Sequence, residues 1–183
     1  DEKEKYLIAD LDNIYIFDWE TGVLEDSIST KECGPLNNFS GFNYVDSENI
    51  IVYASAKQSL FIINSKGEVK KQWKQPQSEA FTEWLLQPVG HNYSRPQLLN
   101  EKVLLLGTAF GPLSMAPEKP IVTSETVDII SGEWKATSFY PDLYYDYNWG
   151  ANYLNLVNTA KDNDGNLLIS LPITEIVLKY TDD

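Results

Sequence analysis

Between Phe139 and Tyr153 the chain sets seven aromatic residues beside Asp142, Asp146, Asn148 and Asn152, with neither helical nor strand periodicity. Flat rings stack on the apolar face of a sugar or peptide while neighbouring carboxylate and amide oxygens fix its orientation. The residues expected to make such a contact surface are Tyr144, Tyr145, Asp146, Tyr147 and Trp149. The same rings also suit a structural role, filling the space between stacked sheets. Residue types alone leave both readings open.

Other chemistry-bearing groups are weaker signals. Asp162-Asn163-Asp164-Gly165-Asn166 has the acidic density of a calcium loop, but its glycine stands fourth rather than sixth, as the EF-hand requires. A hairpin turn is expected there and at Asp10-Leu11-Asp12-Asn13. His91 is the single histidine, so any His-dependent triad runs through it, and no Gly-x-Ser-x-Gly elbow accompanies it. It is read as a surface residue, and a zinc site built from several histidines is excluded. With 27 acidic residues some carboxylate pair falls within glycosidase range in any fold, so Glu83, Asp142 and Asp146 gain nothing over the rest. Cys33 is the sole cysteine, which excludes an internal disulfide and a CxxC pair; beside Gly34-Pro35 it reads as a small buried residue. Asn38-Phe39-Ser40 and Asn92-Tyr93-Ser94 match the N-glycosylation pattern, which recurs by chance and receives no weight. No cofactor or metal motif is found.

The formal net charge of −13, with no basic cluster denser than Lys70-Lys71, repels phosphate backbones and anionic membranes. Nucleic acid is therefore excluded as a partner class. The acidity serves solubility or attracts cations and neutral polar ligands. No apolar run approaches the ~20 residues that span a bilayer. The chain begins at Asp1 without a signal-peptide pattern and is read as a mature form or a piece of a longer protein, which does not argue for the cytoplasm.

The elements that position these groups are strands. Alternating, β-branched and aromatic segments predict strands over 6–11, 13–19, 23–29, 42–46, 49–55, 59–64, 68–74, 102–107, 124–130, 133–139, 154–160, 166–170 and 174–180. Helix finds a foothold only over Ser78 to Leu86. A strand-turn-strand cassette recurs: Ile14 to Leu24 is echoed by Leu60 to Val69, with turn glycines Gly22 and Gly67 45 positions apart, and again by Thr126 to Trp134. That period is the size of one propeller blade. The expected fold is all-β, an incomplete set of about four blades in one domain over 1–183, with blades near 6–29, 41–74, 102–139 and 153–183. The Pro-rich, aperiodic segments Gln75 to Asn100 and Phe110 to Ile121 read as long connections over one face, where binding function is usually mounted.

Cys33-Gly34-Pro35-Leu36-Asn37 ahead of Gly41-Phe42, the cassette ending in Gly67-Glu68-Val69, and Tyr140-Pro141-Asp142-Leu143-Tyr144 with Trp149-Gly150 carry a resemblance. The chain resembles a family of extracytoplasmic proteins of unknown function from Bacteroides-type bacteria, over most of residues 6–180. The resemblance implies a six-bladed, TolB-like propeller on a lipoprotein of roughly twice this length, located in the periplasm or at the cell surface. It also implies a lipid anchor on the parent protein and completion of the ring by remaining blades or another copy. The lipidated N-terminal cysteine and C-terminal blades of that pattern are missing here, and no catalytic residue carries over.

Two functions from different classes are compatible with these features. The first is a non-enzymatic propeller that binds a protein or glycan through loops on one face. The second is a secreted hydrolase or lyase with a carboxylate-lined axial site, which would need acids whose pKa values are pushed apart. A third reading is a mainly structural repeat whose blade edges associate with other blades.

Overall fold

The computed structural model describes residues 5–36, 40–76, 87–88, 95–108, 121–146, 157–164, 166–174 and 176–180. These form fifteen strands, and among the described residues they build four open antiparallel sheets with no closed barrel. The first sheet is β1 (Lys5–Ala9), β2 (Asn13–Asp18) and β3 (Leu24–Ser29), in that order. The second is the meander β4 (Gly41–Asp46), β5 (Asn49–Ala54), β6 (Ser59–Ile63) and β7 (Val69–Lys74). In the third, β8 (Gln87–Pro88) and β9 (Gln97–Leu99) both pair with β10 (Lys102–Thr108), followed by β11 (Val122–Asp128) and β12 (Trp134–Phe139). The fourth is β13 (Asn158–Lys161), β14 (Leu167–Ser170) and β15 (Val177–Lys179).

Every strand expected from alternation has a counterpart here. Two corrections apply. The segment Gln75 to Asn100 is not wholly a connection, because it supplies β8 and β9, which are too short to show alternation. Leu143–Asp146 forms one helical turn, started where Tyr144 and Tyr145 N–H donate to the carbonyls of Pro141 and Asp142. The helix expected over Ser78 to Leu86 lies outside the described residues.

The recurring cassette is visible bond by bond. Asp18, Asn64 and Asp128 each lead a turn that ends on a glycine with positive φ: Gly22 (66°), Gly67 (80°) and Gly132 (77°). In each, the leading carbonyl accepts the glycine N–H at 2.8–2.9 Å, and the leading N–H donates to the carbonyl of Val23, Glu68 or Glu133 at 3.0–3.1 Å. The leading side-chain oxygen accepts backbone N–H groups inside the turn, from Thr21, from Lys66 and Glu68, and from Ile130 and Ser131 respectively. Short Asp and Asn side chains do this well, and glycine takes the left-handed position at little steric cost. After the hairpin, the N–H groups of Thr30, Gln75 and Tyr140 donate to the carbonyls of Asp12, Gln58 and Ile121 at 2.7, 2.8 and 3.0 Å. These bonds align β1 with β5 and β10, β2 with β6 and β11, and β3 with β7 and β12.

The chain falls into two compact units, 1–75 and 76–183. In the first, Ile14, Ile16 and Ile28 of the first sheet meet Ile50, Val52, Ala54, Phe61 and Ile63 of the second, closed by Cys33 and Leu36 from the connecting segment. Each Ile, Val, Leu or Phe side chain among them stabilises by about 1.5–3 kcal/mol when fully buried. The approach is close: a Cβ on Gly67 would lie 2.4 Å from the carbonyl oxygen of Ser29. Strands β5 and β6 also bury Ile51, Tyr53, Leu60 and Ile62 on their opposite face. A near-continuous apolar run such as Ile50-Ile51-Val52-Tyr53-Ala54 is how a strand buried on both sides reads.

In the second unit, Leu104 and Leu106 of β10 pack with Leu167, Ile169 and Leu171 around β14, and Ile121, Tyr140, Tyr144, Tyr145 and Val157 fill the space between. Strand β10 buries its other face as well, through Val103 and Leu105. Strand β11 buries the polar residues Thr123 and Ser124, whose hydroxyls are satisfied by Ser138 and Thr137 on β12 at 2.5–2.8 Å. Pairing hydroxyls this way avoids the cost of unsatisfied buried donors.

Candidate functional site

The aromatic segment is mounted on the core of the second unit. Strand β12 ends at Phe139, Tyr140 turns inward, and Pro141-Asp142 starts the helical turn that carries Tyr144 and Tyr145. Tyr144 is 0% and Tyr145 5% exposed. The rings of Tyr140 and Tyr144 lie 5.0 Å apart at 47°. The Tyr145 hydroxyl accepts the Ile121 N–H at 2.7 Å, and the Ile121 carbonyl accepts the Tyr140 N–H at 3.0 Å. One residue at the entrance to β11 therefore has both backbone groups satisfied by this segment. The Tyr144 hydroxyl accepts the Ile173 N–H, 3.2 Å away, in the turn between β14 and β15. Burial pushes both phenols above their ordinary pKa, against the opposing effect of these hydrogen bonds.

The five residues expected to form a contact surface thus part company. Tyr144 and Tyr145 point into the core, where a ring has no free face on which a ligand could stack. They hold the third and fourth sheets together, the structural role the residue types also allowed. Asp146 is exposed at the end of the helical turn, as is Asp142 near its start. Tyr147 and Trp149 lie outside the described residues.

The acidic turns are occupied by their own backbone. Asp10 Oδ1 accepts the N–H groups of Asp12 and Asn13, and Asp10 Oδ2 accepts the Tyr15 hydroxyl at 2.7 Å. Asp46 takes the Glu48 N–H and the Asn49 side-chain amide. Asp162 takes the N–H groups of Asp164 and Asn166 and the Asn166 amide, with the Lys179 ammonium 3.5 Å from its other oxygen. Such bonds favour the charged form and lower the carboxyl pKa: led by the Asp12 N–H at Asp10, by the Asn49 amide at Asp46, by the Ser131 N–H at Asp128 and by the Asn166 amide at Asp162. The Asp162 and Asp10 segments form hairpin turns, the reading given above. Among the described residues, no cluster of three or more His, Cys, Asp or Glu is placed to hold a metal ion.

Cys33 is fully buried, and desolvation, the largest influence, pushes its thiol up to about 11 despite the nearby Lys57. Such a thiol is inert. Glu83, His91, Asn38 and Asn92 lie outside the described residues. No helix among the described residues is long and apolar enough to cross a membrane.

An exposed apolar face on the first sheet went unread in the sequence. Tyr6 and Ile8 of β1, 51% and 44% exposed, stand opposite the half-buried Phe17 and Tyr15 of β2, with the Trp19 ring edge-on to Tyr6 at 6.1 Å. The signal was present in the unbroken apolar character of Tyr6-Leu7-Ile8-Ala9 and Ile14-Tyr15-Ile16-Phe17, which marks strands built for burial on both faces.

No protein-family model matches this chain, and no curated protein matches it. Among solved structures it is similar to a member of the DUF4221 family from Bacteroides vulgatus ATCC 8482, at 16% identity and a TM-score of 0.57, over 97% of this chain and 57% of that one. A likeness to BamB from Moraxella catarrhalis extends over 100% of this chain and 62% of that one, at 8% identity and a TM-score of 0.36. The chain therefore spans less than two thirds of the length of either. At 16% identity the first likeness is one of fold: the chain shares an all-β arrangement of antiparallel sheets with that Bacteroides protein.

Proposed function

We propose that this chain supplies blades of a six-bladed, TolB-like propeller in an extracytoplasmic lipoprotein, and that it works by binding a protein or glycan through loops on one face rather than by catalysis. The four sheets are its blades, and residues 1–183 belong to one propeller domain. The observation that carries the binding site is the double anchorage of the segment after β12. Tyr144 and Tyr145 are held in the core by packing and by the Ile173 and Ile121 N–H groups, which fixes the point from which the chain continues to Asp146 and on, in sequence, to Tyr147 and Trp149. Contact groups are commonly carried by segments that leave a packed scaffold. In this reading Asp146, Tyr147 and Trp149 touch the ligand, and Tyr144 and Tyr145 position them.

Asp10, Asp46, Asp128 and Asp162 shift downward, chiefly through hydrogen bonds around their own turns, so none of these four suits the general acid that the hydrolase reading needs. Glycan arrays and pull-downs with the wild-type chain and a Tyr147→Ala/Trp149→Ala variant test the site. Loss of a wild-type interaction at unchanged melting temperature is the expected result. If the wild type captures nothing, or the variant only lowers stability, the proposed surface is rejected.

A further inference from the structure

The hydrogen-bonded alignment of the sheets places β1 where β5 and β10 stand, and in that alignment Tyr6, Ile8, Tyr15 and Phe17 match Ile50, Val52, Phe61 and Ile63 of the second sheet. The four residues of the second sheet are buried under the first. The matching face of the third sheet, through Val103, Leu105 and Val127, is buried too. Of these three sheets, among the described residues, the first alone leaves this face exposed. The same alignment shows a second gap. Strand β5 is paired on its far edge by β4, and β10 by β8 and β9, but no described residue pairs the far edge of β1.

We infer that the first sheet is a receiving blade: an extended strand with alternating apolar residues pairs antiparallel with Lys5–Ala9, and the apolar face of a further sheet covers Tyr6, Ile8, Tyr15 and Phe17. This rests on the blade reading above. The occupant is polypeptide of the same protein outside these 183 residues. Two facts select it over a foreign partner or a second copy. The gap is defined by the protein's own repeat, position for position, and the Bacteroides structure that shares this fold over 97% of the chain extends well beyond the matched part, of which the chain covers 57%. An open edge with an apolar face beside it is otherwise an aggregation hazard.

Amide hydrogen exchange on the 183-residue chain and on the whole gene product tests the inference. Strands β5 and β10 should exchange slowly in both. The β1 amides that alternate away from β2 should exchange roughly 100-fold or more slower in the whole gene product than in the 183-residue chain. If those amides stay fast in the whole product while β5 and β10 are slow, the receiving role is overturned and the blade reading survives. Fast exchange in β5 or β10 overturns the blade reading itself and the inference with it. Protection of those outward-facing β1 amides in the 183-residue chain also overturns the inference, and if it rises with concentration a second copy is the true occupant. A gene product that adds nothing to these residues has the same consequence.

Discussion

The first and second sheets share a turn, a strand order and a closing hydrogen bond, yet Val52 is 0% exposed where its counterpart Ile8 is 44% exposed. Likewise Gly22 and Gly67 occupy the same left-handed position, but a Cβ on Gly22 would meet nothing within 4 Å while one on Gly67 would strike the Ser29 carbonyl. Local chemistry is repeated, and the energy attached to it depends on whether another sheet lies over it.

Substitution at the two glycines sharpens this contrast most. Gly67→Ala combines a positive φ with a backbone collision and should cost about 3–4 kcal/mol in denaturant unfolding. Gly22→Ala should cost about 1–2 kcal/mol, the conformational penalty alone. Equal losses would show that the close approach of Gly67 to Ser29 is not maintained in solution. Next in size, Val52→Ala should lose about 2 kcal/mol by removing buried methyls, against about 0.5 kcal/mol for Ile8→Ala in the 183-residue chain.

The anchors of the second unit extend the test to hydroxyl groups. Tyr145→Phe leaves the Ile121 N–H without this acceptor and should destabilise by about 1–2 kcal/mol. Cys33 reports the junction of the first two sheets directly. With its thiol pushed up to about 11 and fully buried, it should resist thiol reagents at pH 8 until denaturant opens the first unit, and Val52→Ala should speed labelling where Ile8→Ala does not. Rapid labelling of the native chain would mean that the two sheets separate readily.

The smallest effect is common to both sheets. Asp10 and Asp46 have folded-state pKa values below the ordinary 3.8, so their hydrogen bonds add stability above that pH and lose it as the pH falls through 3.8 and below. Asp46→Asn should flatten the acid limb of a stability-against-pH curve. An unchanged limb would mean that the Glu48 and Asn49 bonds persist equally in the unfolded chain.

Strand positions and turns were legible because both are written in short-range chemistry. Alternation located strands such as β12, β-branched and aromatic enrichment located β6, and Asp or Asn shortly before a glycine marked the turns at Gly22, Gly67 and Gly132. The helical turn at Leu143–Asp146 was not legible, since four residues carry no period. Nor was the fate of the tyrosines. A cluster of rings beside carboxylates looks the same whether it faces solvent or core, and the choice lies in partners more than 20 residues distant, Ile121 and Ile173.

Composition, alternation and turn chemistry settled the all-β class and the repeat, because each depends on residues close in the chain. Tertiary structure decided which faces of those repeats are covered, which tyrosines are anchors and which sheet stands open. Burial is a property of what lies on the other side of a face, and in an antiparallel meander that neighbour comes from a different repeat, tens of residues away.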